Sequence, residues 1–211
     1  RELGLDVDPH APLIGFIGRL DHQKGVDVLL DVVPHICANG GQVVMLGSGD
    51  PGLEHGMREM ERCHKGRVVG WVGFSVPVSH KITAGADILA MPSRFEPCGL
   101  NQLYALRYGT LPVAHATGGL RDTVKGRVGY PFAPCEASAL RRAMDRAMDA
   151  YKASEGNSKA DSRWRKKQER AMTSDLSWNV AAEKYEKLMM RVALDAPPAL
   201  RRPAPEILEA A

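Results

Sequence analysis

The sequence predicts an α/β protein built on a Rossmann-like, doubly wound parallel sheet. Two observations carry that prediction. Short, wholly apolar runs alternate with longer stretches whose apolar residues recur at helical spacing, and glycine or proline marks almost every junction. Parallel neighbours need crossover connections, which helices supply, and such crossovers are right-handed almost without exception.

Residues 13–17, Leu-Ile-Gly-Phe-Ile, read as the first strand, ended by Gly18. Val26, Leu29, Leu30 and Val33 then share a helical face until Pro34 and the Asn39-Gly40-Gly41 stop. The strand pattern returns at 42–46, and Leu53, Met57 and Met60 mark a second helix. Residues 67–72 form the third strand, 74–84 a loop and short helix, and 87–91 the fourth strand. A helix over 100–108 is closed by Gly109, and 111–114 form the fifth strand. Further on, Leu140, Ala143, Met144, Ala147, Met148 and Tyr151 give an amphipathic helix. Residues 157–172 read as a mostly charged helix, with Arg163, Arg165, Lys166, Lys167 and Arg170 close together. A solvated face is the simpler account of that cluster, and contact with a polyanion or glucan is the other. Ser177 reads as the N-cap of a last helix through Met190, with Ala181, Tyr185, Leu188 and Met189 facing inward. No internal repeat is visible.

Composition narrows the function. A chain of 211 residues with 44% hydrophobic content can bury a sizeable core. No apolar run approaches the roughly 20 residues that span a bilayer, and residues 1–15 lack a signal-peptide layout, so a soluble chain without a membrane partner is expected. The net charge of +3 is small and scattered, which argues against nucleic acid as a partner. Cys37, Cys63, Cys98 and Cys135 are irregularly spaced with no Cys-x-x-Cys pair, so neither a zinc site nor a disulfide framework is expected, and a reducing compartment is. The chain opens without Met, on a connector running into the first strand, and reads as a fragment.

The candidate chemistry centres on Ser93-Arg-Phe-Glu-Pro-Cys-Gly-Leu-Asn101, which follows the fourth strand and opens a helix. Glu96 therefore lies at the carboxyl end of a strand, the edge where open α/β sheets bind ligands. The free N–H groups of Gly99, Leu100 and Asn101 at the helix start can donate to an oxygen-rich ligand. Arg19 and Lys24 sit in the turn between the first strand and first helix, on the same edge. By themselves they are as readily two solvated side chains as a diphosphate site, for which each charged hydrogen bond contributes about 1.5–3 kcal/mol. With Glu96 on the same rim, a sugar-phosphate can touch both turns.

These segments, with 45–50, 71–109, 117–124, Asp175-Leu-Ser-Trp178 and Ala181-Ala-Glu-Lys-Tyr185, resemble the C-terminal, donor-binding half of the glycogen/starch synthase family. That family comprises retaining glycosyltransferases of the two-domain GT-B fold. The wording of Val72-Gly-Phe-Ser-Val-Pro-Val-Ser-His80 is closer to plant and algal starch synthases than to bacterial glycogen synthases. The resemblance implies transfer of glucose from ADP-glucose to the non-reducing end of an α-1,4-glucan, with no metal or other cofactor. By position, Arg19 and Lys24 would hold the diphosphate, and Glu96 would bind hydroxyls of the donor glucose. Cys98, Gly99 and Leu100 would supply backbone contacts, beside the Asn101 amide, and Phe74 would stack on adenine unless it is a core residue at a strand end. The broader glycosyltransferase pattern has a second Glu eight residues after the first; Tyr104 stands there, a departure that glycogen and starch synthases share.

The same resemblance sets the expected organisation: a linker over 1–12, a nucleotide-sugar-binding domain over 13–172, a helix over 173–192 that packs back toward an N-terminal domain outside this sequence, and a disordered tail over 193–211. It also implies a plastid, in the chloroplast stroma. The segment 125–129 is shorter than the family's loop there. A non-catalytic module that holds ADP or glucan within a glucan-synthesising complex is the alternative from a different class. Gly47-Ser-Gly-Asp-Pro-Gly52 also satisfies G-x-G-x-x-G, but Pro51 falls inside it and no acidic residue ends the next strand, which argues against a dinucleotide. Asp6-Val-Asp8 lies in the linker and is not read as a metal motif, and His80 and His115 are read as buried or helix-end residues without a catalytic part.

Overall fold

The computed structural model describes residues 2–156 and 162–195. In chain order its elements are β1 (Leu13–Ile17), a 3-10 turn (His22–Lys24), α1 (Val26–Leu30), α2 (Val33–Ala38), β2 (Gln42–Gly47), α3 (Pro51–Cys63), β3 (Val68–Val72), α4 (Val76–Gly85), β4 (Ile88–Met91), α5 (Asn101–Tyr108), β5 (Leu111–His115), α6 (Gly118–Thr123), β6 (Tyr130–Phe132), α7 (Ala137–Gly156), α8 (Arg163–Met172) and α9 (Trp178–Asp195). Among the described residues six strands form one parallel sheet in the order β3-β2-β1-β4-β5-β6. The chain winds outward from β1 to β3, then returns to lay β4 on the other flank of β1. The connections leaving β1 and β4 therefore diverge at the carboxyl edge, and the crevice between them is where such sheets take ligands. The doubly wound, Rossmann-like class expected from the apolar runs is the one observed.

β2 shows why those runs are wholly apolar. Val43 and Met45 enter one core with Leu140, Ala143, Met144, Ala147 and Met148 of α7. Val44 and Leu46 enter another with Val69 and Ile82. Successive residues of a strand point to opposite faces, and here helices cover both. Residues 2–12 lie along the same body: Leu3 and Leu5 pack on the second core, and the Asp6 amide donates to the Gly66 carbonyl at 2.8 Å.

The described part of the charged segment, 162–172, holds α8, whose Trp164 is buried. Its indole stacks on Tyr130 at 6.3 Å and meets Tyr151 edge-on at 5.5 Å. Lys167 donates to the Gly126 and Gly129 carbonyls and lies over the Tyr130 ring at 4.7 Å. Burial, then the neighbouring Arg170, lowers its pKa.

Three elements differ from expectation. The single helix through Val33 is two, α1 and α2, because Pro34 in the first turn of α2 starts a new helix rather than continuing the old one. β6 is a three-residue edge strand with Pro131 at its centre, a composition that reads as a turn. α6 opens on Gly118-Gly119, the poorest helix formers after proline.

The Gly47–Gly52 motif also has a structural account. A Cβ on Gly47 would lie 2.1 Å from the Gly18 carbonyl oxygen and one on Gly49 2.4 Å from that of Leu20, so both glycines let the β2 turn close on the β1 turn. The amides a phosphate would need are occupied. Asp50 caps α3 by accepting from Gly52 N at 2.8 Å and Leu53 N at 3.1 Å, and Glu54 accepts from Gly49 N at 3.1 Å. Asp50→Ala is expected to cost about 1 kcal/mol in denaturant unfolding, as lost N-caps do.

Chain contacts divide the molecule after Ser174 into two compact units. In the second, α9 extends to Asp195, so residues 193–195, expected in the tail, are helical; 196–211 lie outside the described residues. Tyr185, Leu188 and Met189 were expected to face inward but are exposed, since one helix offers no core of its own. Among the described residues no helix is long and apolar enough to cross a membrane.

Candidate functional site

The turn after β1 is built to bring Lys24 inward. Asp21 accepts from Lys24 N at 2.9 Å and caps the 3-10 turn, while Gly25 follows in the left-handed region at φ 66. The Gly25 backbone passes so near the end of β4 that a Cβ there would lie 2.0 Å from the Pro92 carbonyl oxygen. Lys24 thus emerges beside the loop that carries Glu96. Its Nζ donates to Glu96 Oε2 at 2.6 Å, and Ser93 Oγ donates to the same oxygen at 3.1 Å. The Glu96 side chain is 9% exposed and that of Lys24 23%. A carboxylate this buried is stable as an ion only with such partners.

Around this pair the backbone is heavily tied. Arg94 forms a two-pronged ion pair with Asp27, Nη1 to Oδ1 and Nη2 to Oδ2, each at 2.7 Å. Hydrogen bonding to Arg94 holds the Asp27 carboxyl below its ordinary pKa. His115 Nδ1 donates to the Ser93 carbonyl at 2.7 Å, which gives that half-buried ring a supporting place under the loop. Gly119 N donates to the Glu96 carbonyl at 2.9 Å, and a Cβ on Gly119 would lie 2.1 Å from the Cys98 carbonyl oxygen, so α6 begins pressed against the Glu96–Cys98 backbone. Gln102 is fully buried beneath it and donates to the Cys98 and Gly99 carbonyls, both at 3.0 Å.

The structure separates the sequence candidates. Lys24 and Glu96 meet directly. Arg19 lies on the same edge but pairs with Asp21 at 3.2 Å, and its side chain, 69% exposed, faces an adjoining cleft of ≈ 530 Å³ that Asp21, His22, Asp27, Ser48 and Asp50 also line. Gly99 takes φ 73, Cys98 and Leu100 are exposed, and α5 starts at Asn101 with no side-chain cap on its first amides. The Asn101 side-chain Nδ2 donates to the Ile17 carbonyl at 2.9 Å, bracing the end of β1 and leaving its backbone N–H apart from that bond. Phe74 follows β3 on the same edge and is 85% exposed, which removes the alternative that it belongs to the core. His80 is exposed within α4 rather than buried or at a helix end. Ser93, Arg94, Asp27, Gly119 and Gln102 were not singled out from sequence. Of these, Gly118-Gly119 left a trace, as a glycine pair inside a family-like segment. Among the described residues no three His, Cys, Asp or Glu side chains gather as a metal site.

A sheet wound in this order, with a cation and a carboxylate joined at its switch point, defines a Rossmann-like α/β protein whose charged pair lies where such sheets take ligands. The chain belongs to the glycosyl transferases group 1 family, whose model matches residues 5–169, and its fold is the Rossmann-like half of a GT-B enzyme. More narrowly, it is similar to starch synthases. It is 52% identical over 197 residues to starch synthase 2, chloroplastic/amyloplastic, of Arabidopsis thaliana, which covers 90% of this chain and 24% of that protein. To soluble starch synthase 1, chloroplastic/amyloplastic, of Oryza sativa subsp. japonica it is 49% identical over 207 residues, covering 93% and 31%. Among solved structures it matches the catalytic domain of starch synthase IV from Arabidopsis thaliana bound to ADP and acarbose, with a TM-score of 0.77 and 32% identity over 90% of this chain and 40% of that one. The chain thus spans only 24% and 31% of the length of those two curated relatives.

Proposed function

We propose that the chain is the donor-binding half of a starch synthase, which moves glucose from ADP-glucose to the non-reducing end of an α-1,4-glucan with retention of configuration. The observation that carries this is the Lys24–Glu96 pair, 2.6 Å apart at the switch point: one group suited to a diphosphate, the other to sugar hydroxyls. The similarity to starch synthases, one of them solved with ADP, supports the same donor.

In this reading Lys24 and Arg19 hold the diphosphate and stabilise the charge that grows on departing ADP, often the largest catalytic contribution. They supply the positive charge the diphosphate needs, so no metal is invoked. Glu96 accepts from hydroxyls of the donor glucose and fixes the ring, while the backbone amides of Gly99 and Leu100, following Cys98, donate to sugar or phosphate oxygens. Asn101 contributes its backbone amide, because its side chain is committed to β1. Phe74, exposed on the same rim, stacks on adenine. The acceptor hydroxyl then attacks C1 from the face the diphosphate leaves. Its oxygen forms the new bond as the C1–phosphate oxygen bond breaks, and its proton passes to the departing phosphate.

The acceptor groove belongs to a further domain of the longer protein, and the exposed apolar side chains of α9, Tyr185, Leu188 and Met189 among them, dock on it. Relatives named chloroplastic/amyloplastic support a plastid location.

Calorimetry on the full-length protein with ADP, UDP and NAD tests the reading. ADP should bind most tightly and NAD not at all. Binding of NAD in place of ADP would sink it, and ADP binding without glucosyl transfer to glycogen would leave a binding module. Phe74→Ala should weaken ADP about tenfold, within the range for one base–aromatic stack, and leave the melting temperature unchanged because the ring supports no core.

A further inference from the structure

We propose that Arg94 and Asp27 are positioning residues for the donor site, a clasp that keeps the Lys24 turn and the Glu96 loop in register while the donor pulls Lys24 and Glu96 apart. The inference rests on the donor-site reading and extends it to residues that reading gives no ligand contact.

The reasoning starts from a conflict. Lys24 and Glu96 satisfy each other, yet each has to turn toward the incoming ligand, Lys24 to phosphate and Glu96 to sugar. If that ion pair were what joined the two turns, binding would weaken the scaffold it depends on. The structure supplies other links. Both prongs of the Arg94 guanidinium hold Asp27 at 2.7 Å, and Nη1 also donates to the His22 carbonyl at 2.9 Å. The Arg94 amide donates to the Gln23 carbonyl at 2.8 Å, and the Gln23 side chain donates back to the Phe95 carbonyl at 3.0 Å. The residues immediately before Lys24 are thereby sewn to the two immediately before Glu96. None of these contacts uses Lys24 or Glu96, so all can persist while that pair opens.

The chemistry suits a fixed spacer. Guanidinium and carboxylate mate through two parallel hydrogen bonds that set orientation as well as distance, which a lysine ammonium cannot do. Most solvent-reached ion pairs contribute little to stability, and the Arg62–Glu59 pair, three residues apart on one exposed helix, joins nothing. Arg94 and Asp27 are 67 residues apart and span the crevice. Asp27 also lines the cleft that Arg19 faces, so the clasp borders both cation positions.

The test uses the full-length protein carrying Arg94→Lys, Asp27→Asn, both together, or Asp27→Glu, followed by donor KM, glucan KM, kcat and melting temperature. Each of the first two should raise donor KM about tenfold, the double variant should be no worse than either single one, and glucan KM should not move. Asp27→Glu, which keeps the charge, should recover most of the loss. If the variants lower the melting temperature or kcat while donor KM stays at the unaltered value, the pair is only structural and the proposal is overturned. Additive effects in the double variant would also overturn it. Lys24→Ala distinguishes failure of the underlying reading: if that change leaves ADP affinity intact, the donor site itself is misplaced and the clasp falls with it.

Discussion

Lys24→Ala is expected to lower ADP affinity by about 10- to 150-fold, the equivalent of one lost charged hydrogen bond of about 1.5–3 kcal/mol. A second effect acts on the stability of the fold. Glu96 would keep the Ser93 hydroxyl at 3.1 Å but lose its cation, and its side chain is 9% exposed, so water replaces Lys24 poorly. Stranding one partner of a fully buried pair costs about 3–5 kcal/mol; Lys24 is 23% exposed, and the figure here should be smaller, about 1–3 kcal/mol. The two effects separate in the double variant Lys24→Ala/Glu96→Gln. A neutral amide removes the stranded charge, so stability measured by denaturant should recover, whereas ADP affinity measured by calorimetry should not. Unchanged ADP affinity in the single variant would show that Lys24 serves only its internal partner.

How much of this site the sequence discloses follows from the range of the interactions. Glu96 is legible because its neighbours Pro92, Pro97 and Gly99 break the chain locally after an apolar strand, and local chemistry survives in a one-dimensional reading. Arg19 and Lys24 are legible as cations in one turn, but nothing local says that one reaches inward and the other outward. That split follows from Asp21 capping the turn and from the close approach of Gly25 to Pro92. The Arg94–Asp27 clasp is invisible for a stronger reason. It joins turns 67 residues apart that become neighbours only because β4 returns to lie beside β1. The same limit hides Gly119, whose amide is a support for Glu96 only once α6 is placed. Among the strands, β6 escapes notice because its pairing with β5 is what makes Tyr-Pro-Phe extended. The apolar spacing of α9 is legible as a pattern, yet Tyr185, Leu188 and Met189 are exposed, and spacing alone does not say what covers them.

Gly25→Ala should be among the most damaging small substitutions at the described residues. Any side chain there must adopt φ 66, and its Cβ would lie 2.0 Å from the Pro92 carbonyl oxygen and 2.9 Å from the carbonyl carbon. The left-handed conformation costs a non-glycine residue about 1–2 kcal/mol, and overpacking typically adds about 1–3 kcal/mol. The obstacle is backbone on both sides, so relief requires the β1 turn to move away from the end of β4. That movement opens the gap the Lys24–Glu96 pair bridges. Gly25→Ala is therefore expected to lose about 2–5 kcal/mol of stability and to weaken ADP binding as well. Gly40→Ala is the matched control: Gly40 has φ 79, but nothing lies within 4 Å of its would-be Cβ. It carries the conformational cost without the collision, so the difference between the two variants in denaturant unfolding isolates the crowding against Pro92, and only Gly25→Ala should move ADP affinity. Equal losses in both would mean that the two turns can part freely, and then the close approach of β1 and β4 could not be what holds the crevice in shape.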